Sequence, residues 1–192
     1  GKTEAAFLPI LTELYNRPSN SVGILYVSPL KALINDQFVR LSDLLEEAHL
    51  SVTKWHGDSN QNKKEKIIMN PNGIIQITPE SLEALLMNKK EDVCTIFNDL
   101  RYIVIDEVHY FIGTDRGIQL NSCLTRLSRI INKIPRRIGL SATLGDYKEV
   151  EKWLNSGTNR SCVTPVVSSG KRTISLAINN FDKKYKNLLC VG

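Results

Sequence analysis

Soft metal ligands are scarce in this chain of 192 residues, which has three histidines and four cysteines. Cys94, Cys123, Cys162 and Cys190 stand far apart, with no CxxC pair and no histidine cluster to complete a zinc site. The spacing argues against a zinc module or a disulfide framework and predicts reduced core thiols in a cytoplasmic protein. His49 and His56 have no ligand spacing around them and are read as non-ligands. No apolar run approaches the ~18 residues that a membrane span needs, and the first residues show no signal-peptide pattern. Internal repeats and low-complexity tracts are also missing. Hydrophobic residues at 42% and charged residues at 23% exclude a disordered or collagen-like chain.

What remains is an ordinary globular composition with a modest basic excess. Lys and Arg number 25 against 20 Asp and Glu, a net charge of +5. That permits a polyanionic partner without requiring one. The length suits one sizeable domain or a domain with a tail. The chain opens directly on Gly1-Lys2-Thr3 and ends on the apolar Leu188-Leu189-Cys190-Val191-Gly192, so it reads as a piece of something longer.

Short β-branched runs alternate with helical patterns. Helices are expected over 4–16, 31–47, Lys63 to Met69, Ser81 to Met87, from Leu120 through Ile134, and Lys148 to Leu154. Strands are expected at Val22–Val27, Ser51–Trp55, Gly73–Ile77, Tyr102–Ile105 and Ile138–Leu140, with Cys162-Val163 closing the sheet. Residues 165–172 read as a linker leading into 173–178. The alternation predicts an α/β fold, a mainly parallel sheet with helices on both faces, in which ligands gather at the carboxyl ends of the strands. Trp55 and Trp153 read as core. Arg126, Arg129 and Lys133 read as a solvated helix face, although a basic stripe can also meet phosphates.

Chemistry-bearing residues do follow the apolar runs. Gly1-Lys2-Thr3 matches the end of the phosphate loop GxxxxGK[ST], where backbone N–H groups, a lysine and a hydroxyl surround phosphates and Mg²⁺. Three residues by themselves also fit an ordinary helix start. Asp106-Glu107-Val108-His109 follows the most apolar strand, so an Asp there can hold a hard cation and the next Glu can take a proton from water. The same carboxylates would also suit a helix N-terminus. Ser141-Ala142-Thr143 can bridge a carboxylate to neighbouring backbone or cap the next helix, for which Asp146 is better placed.

Taken together, GKT, DEVH and SAT in this order resemble motifs I, II and III of superfamily 2 DEAD/DEAH-box helicases. Ser28-Pro29-Leu30-Lys31-Ala32-Leu33 looks like motif Ia, Thr78-Pro79-Glu80-Ser81-Leu82 looks like motif Ib, and His56-Gly57-Asp58 sits where the family has a glycine turn beside nucleic acid. The phrasing SPLKALINDQ, WHGD, TPESLEALL, DEVHYFIGTDRGIQL and GLSATLGD is similar to the large-helicase-related (Lhr-like) branch.

The resemblance implies a RecA-like P-loop NTPase domain over 1–164. Residues 165–192 would then lead toward a second RecA-like domain, absent here, that supplies an arginine finger. It also implies ATP and Mg²⁺ as cofactors and DNA or RNA as partner. Gly1, Lys2 and Thr3 would bind the phosphates, with Thr3 and Asp106 holding Mg²⁺, Asp106 through water. Glu107 would activate the attacking water and His109 would link the ATP site to motif III. Ser141 and Thr143 would couple hydrolysis to strand movement. Pro29, Leu30, Lys31, Gly57, Thr78 and Pro79 would follow the sugar-phosphate backbone. Arg116-Gly117 matches a branch-typical stretch with no role assigned. The strand that precedes GKT in the family is expected beside the DEVH strand. A nucleic-acid-binding remnant without ATP chemistry is the alternative, and a GTPase is disfavoured because Asn88-Lys89-Lys90-Glu91 is a poor NKxD.

Overall fold

A computed structural model describes residues 2–32, 34, 45, 50–55, 61–141 and 146–161. The described residues form five four-residue strands: β1 (Ile24–Val27), β2 (Val52–Trp55), β3 (Ile74–Ile77), β4 (Tyr102–Ile105) and β5 (Arg136–Gly139), the last beginning two residues before the expected Ile138. They pair only in parallel, in the order β2-β3-β1-β4-β5. The three inner strands are buried along their whole length, which is why they read as unbroken apolar runs rather than alternating ones. Both flanks of β4 are taken, by β1 and β5, so the expected place for a further strand beside it is filled. Among the described strands, the open edges are those of β2 and β5.

The pleat sorts the side chains into two cores. Ile24, Tyr26, Ile74, Tyr102 and Val104 face α1 (Lys2–Asn16), which buries Phe7, Ile10, Leu11 and Leu14 against them. The opposite face, with Leu25, Val27, Ile75, Ile77, Ile103 and Ile105, forms the larger core. Over it pack α2 (Gln61–Met69), α3 (Pro79–Asn88), α4 (Lys90–Phe97), α5 (Asp115–Ile130) and α6 (Tyr147–Asn155). Each fully buried Leu, Ile or Phe contributes about 1.5–3 kcal/mol of transfer free energy, so these two cores hold the sheet.

Contacts along α1 fix its direction. The Arg17 and Pro18 carbonyls accept hydrogen bonds from Arg101, and the Asn20 amide donates to Asp99, all before β4 begins. Further up, the Tyr102 hydroxyl donates to Glu13, and the Phe7 and Tyr26 rings lie 5.9 Å apart. The helix therefore runs antiparallel to the strands, and its N-terminus arrives at the rim formed by their carboxyl ends.

Several expectations need adjustment. Helix α4 went unread because Lys89-Lys90-Glu91-Asp92 looks like a polar connection. Its buried stripe is only Val93, Ile96 and Phe97. Helix α5 starts earlier than expected, with Thr114 accepting from the Gly117 amide, and stops at Ile130. Ile134 thus lies beyond it, past a left-handed Asn132 (φ 51°). The basic residues near this helix are not simply solvated: Arg126 pairs with Glu83 at 3.3 Å and Lys133 with Asp99 at 3.2 Å. Cys123 is a core thiol as expected, whereas Cys94 is exposed because it falls on the outer side of α4. Trp55 is buried, and Trp153 stacks on Phe111 with ring centroids 6.0 Å apart. Asp146 caps α6 through the Lys148 amide at 2.8 Å. Lys31, Ala32, Ile34 and Leu45 are helical. The remainder of the expected 31–47 helix, Cys162, Cys190 and the 165–178 linker lie outside the described residues, and with them the proposed boundary at 164.

Candidate functional site

Every described strand except β2 ends in a segment carrying residues singled out above, so the carboxyl rim of the sheet gathers them in strand order. Thr78 and Pro79 follow β3, Ser28 to Lys31 follow β1, Asp106 to His109 follow β4, and Ser141 follows β5. The segment after β2, with Gly57, lies outside the described residues, as do Gly1 and Thr143. Lys2 is placed by its backbone in the first turn of α1, together with Thr3. The chain leaves β1 and β4, which are neighbours, toward opposite faces of the sheet: Leu45 packs with α1, whereas α5 lies on the other face. Such a divergence opens a crevice at the strand ends.

Asp106 is held at that crevice. Its amide donates to the Val27 carbonyl at 2.8 Å, and the residue is 6% exposed. One carboxylate oxygen accepts from the Tyr26 hydroxyl at 2.5 Å, the other from the Glu107 amide at 3.0 Å. Burial, followed by the charge of Asp106, raises the Tyr26 pKa well above the ordinary phenol value, so Tyr26 keeps its proton and donates throughout the working pH range. A tyrosine within an apolar run reads as core, so its hydroxyl was overlooked.

Glu107 turns the chain sharply. Its φ of 45° and ψ of 50° put a non-glycine residue in the left-handed region, which costs about 1–2 kcal/mol. The backbone on either side is pinned, since the Val108 amide donates to the Leu140 carbonyl and the Leu140 amide to the Ile105 carbonyl, both at 2.8 Å. Strain of this kind persists where surrounding contacts over-determine the conformation. The turn leads into a single 3₁₀ turn, Val108–Tyr110, which brings His109 back over the rim. The His109 Nδ1 lies 2.9 Å from the Ser141 hydroxyl and 3.3 Å from a Glu107 carboxylate oxygen. The link between His109 and motif III, expected from resemblance, thus has a geometric counterpart in the contact with Ser141.

The loops after β1 and β3 present a different surface. Leu30 and Lys31 are exposed, whereas Pro29, Thr78 and Pro79 are buried. The Thr78 hydroxyl caps α3 by accepting from the Ser81 amide at 3.3 Å, and Pro79 occupies the first helical position. A ligand meeting these three residues would meet main chain. Arg116, to which the sequence gave no role, joins the two loops: it donates to Glu80 at 2.7 Å and to the Pro29 carbonyl at 2.6 Å.

No group of three or more His, Cys, Asp or Glu side chains among the described residues could enclose a metal ion. A single buried carboxylate, with the Thr3 hydroxyl on the helix arriving at the same rim, suits a hard cation that keeps most of its waters and shares phosphate oxygens, as Mg²⁺ does. The donor set fits that ion and does not fit zinc.

Comparison with known proteins agrees with this geometry. The sequence model of the DEAD/DEAH box helicase family matches residues 1–152. The chain is 35% identical over 188 residues to the ATP-dependent helicase Lhr-Core of Methanocaldococcus jannaschii, covering 89% of this chain and 22% of that protein. It superposes with a TM-score of 0.69 and 35% identity on Mycobacterium smegmatis helicase Lhr bound to ssDNA and AMP-PNP, covering 79% of this chain and 21% of the other. A DNA-bound DUF1998 helicase, MrfA, aligns with a TM-score of 0.71 at 28% identity, over 82% of this chain and 23% of that one. The chain spans about a fifth of the length of these relatives.

Proposed function

This chain belongs to the DEAD/DEAH box helicase family, and from that premise we propose that it is the first motor domain of a larger Lhr-like, ATP-dependent helicase that moves along or separates DNA or RNA strands. Residues 1–164 form the motor domain, and 165–192 lead toward a second RecA-like domain in the same polypeptide. The observation that carries the reading is the meeting, at one rim of the sheet, of the α1 N-terminus with Asp106, Glu107, His109 and Ser141.

The roles follow from that arrangement. Gly1, Lys2 and the first turn of α1 receive the phosphates of ATP, where N–H groups and the helix dipole favour negative charge. Thr3 and, through water, Asp106 would hold Mg²⁺, which when bound neutralises charge on the phosphates. Tyr26 and the Glu107 amide keep the Asp106 carboxylate aimed at the crevice. Glu107 accepts the proton of the attacking water. His109, in contact with both Glu107 and Ser141, carries the state of the ATP site to β5 and, with Thr143, to strand movement. Leu30 and Lys31 with the main chain around Pro29, Gly57, Thr78 and Pro79 follow the sugar-phosphate backbone. Binding is then weakly sequence-dependent and strongly salt-dependent.

The test is ATP hydrolysis by the full-length protein with single-stranded DNA, with single-stranded RNA and with neither. Stimulation by one polymer identifies the substrate. Strand binding without hydrolysis would replace the motor with an inactive nucleic-acid scaffold.

A further inference from the structure

Arg116 lies in the first turn of α5 and reaches two separate loops at once. Its Nε–H donates to a Glu80 carboxylate oxygen at 2.7 Å, and a terminal N–H donates to the Pro29 carbonyl at 2.6 Å. The guanidinium also sits over the Phe111 ring, 5.7 Å from its centroid, within cation–π range. A rigid planar fork can satisfy two acceptors in set directions, and a lysine ammonium cannot reproduce that geometry. Burial by itself would raise the Glu80 pKa, but the hydrogen bond and charge of Arg116, together with hydrogen bonds from backbone N–H and the Thr78 hydroxyl, outweigh it and hold that carboxyl below its usual range.

The neighbouring residue explains how Arg116 comes to this position. A Cβ on Gly117 would lie 1.8 Å from the Phe111 carbonyl oxygen, an impossible approach. Only glycine lets α5 begin that close to the segment following Glu107. The Thr114 hydroxyl, accepting from the Gly117 amide at 3.1 Å, secures the same turn. The base of the Arg116 side chain is therefore anchored to the segment that leaves the ATP rim, while its tip grips the loops after β1 and β3.

We propose that Arg116 is a positioning residue of the nucleic-acid track, clamping the Pro29 loop to the Thr78–Glu80 turn so that Leu30 and Lys31 meet the strand at a set distance from that turn. The proposal rests on the assignment of those loops to nucleic acid made above. It makes Glu80 half of the clamp, an acidic residue that supports binding to a polyanion.

That sign makes the test decisive. Affinities for a labelled single-stranded DNA and RNA are measured with the full-length protein at one salt concentration for Arg116→Ala, Glu80→Ala, the double variant and Arg116→Lys. Arg116→Ala is expected to weaken binding about 3- to 10-fold, the loss of charge-assisted hydrogen bonds at a half-exposed site. Glu80→Ala should weaken it in the same direction, although removing a negative charge near phosphates would otherwise strengthen binding. The double variant should be no worse than Arg116→Ala, and Arg116→Lys should recover only part of the loss. The strand concentration for half-maximal ATPase stimulation should rise by the same factor, with the saturated rate changing less than about twofold.

Tighter or unchanged binding by Glu80→Ala, beside weaker binding by Arg116→Ala, would overturn the clamp and make Arg116 a phosphate contact. Should Arg116→Ala fail to fold, Glu80→Ala and Arg116→Lys decide, and wild-type affinity in both would overturn the proposal. A wild type that binds neither polymer overturns the helicase reading and the clamp with it. A wild type that binds, with unaffected variants, overturns the clamp alone.

Discussion

Strand β4 carries an aspartate near each end, and the two accept from different donors. Asp99, before the strand, accepts from Arg101 at 3.0 Å and from Lys133 at 3.2 Å, with the Asn20 amide as a further donor. Burial would raise its pKa, but hydrogen bonds from Arg101, Asn20 and Lys133 outweigh that and hold it below the usual carboxylate value. Asp106, after the strand, accepts from the Tyr26 phenol and the Glu107 amide N–H, donors that fix its direction. A carboxylate neutralised by cations ties the chain together. The same residue type on one strand thus serves stability at one rim and, on the reading above, chemistry at the other.

The sharpest break of that comparison is Glu107→Gln. The amide preserves shape and removes the base, so full-length protein should keep Mg-ATP binding while turnover falls ~10²–10⁴-fold. Thermal unfolding should be nearly unchanged, because the pinned backbone around residue 107 is retained. Near-normal turnover would remove Glu107 from the role of base.

Asp99→Asn should do the reverse, lowering stability by about 1–2 kcal/mol with hydrolysis per folded molecule intact. The pH dependence has a definite sign. Because the folded pKa lies below the unfolded one, the contribution of Asp99 is fully present above the ordinary carboxylate pKa of about 3.9 and disappears as pH falls through the folded value. Denaturant titrations should therefore show the gap between wild type and Asp99→Asn at neutral pH, closing below about pH 4. A gap that persists in acid would mean that the asparagine disturbs packing rather than ion pairing.

How much of this could be read from the residues differs between the two rims. Strands β1, β3 and β4 were legible because burial on both faces demands unbroken apolar runs, and Asp106-Glu107 stood out because two carboxylates directly follow one. The Asp99 network was not legible, since Arg101 and Lys133 reach it from separate elements and no spacing rule links them. Arg116 was opaque for the same reason: its partners lie 36 and 87 positions away. The left-handed backbone of Glu107 also has no sequence signal, because the residue that suits a positive φ is glycine and a glutamate stands there. The expected gap beside β4 failed for a topological reason. The chain order of motifs does not state strand order, and β5 fills the position from much later in the chain.

The smallest expected effect tests the orienting donor itself. Tyr26→Phe removes one hydroxyl from a fully buried ring that otherwise packs on Phe7, so the cavity left is negligible. The Glu107 amide still aims one Asp106 oxygen, while the other loses its partner at 2.5 Å. Loss of a single hydrogen bond typically costs about 1 kcal/mol, or roughly a fivefold change. If that donor serves orientation, the Mg²⁺ concentration for half-maximal ATPase should rise by about that factor, with turnover at saturating Mg²⁺ close to wild type. Nucleotide affinity measured without Mg²⁺ should not change, because Tyr26 touches the carboxylate and is not assigned to the phosphates. A fall in melting temperature with no change in Mg²⁺ requirement would instead place Tyr26 with Asp99, among the groups that hold β4 in the sheet.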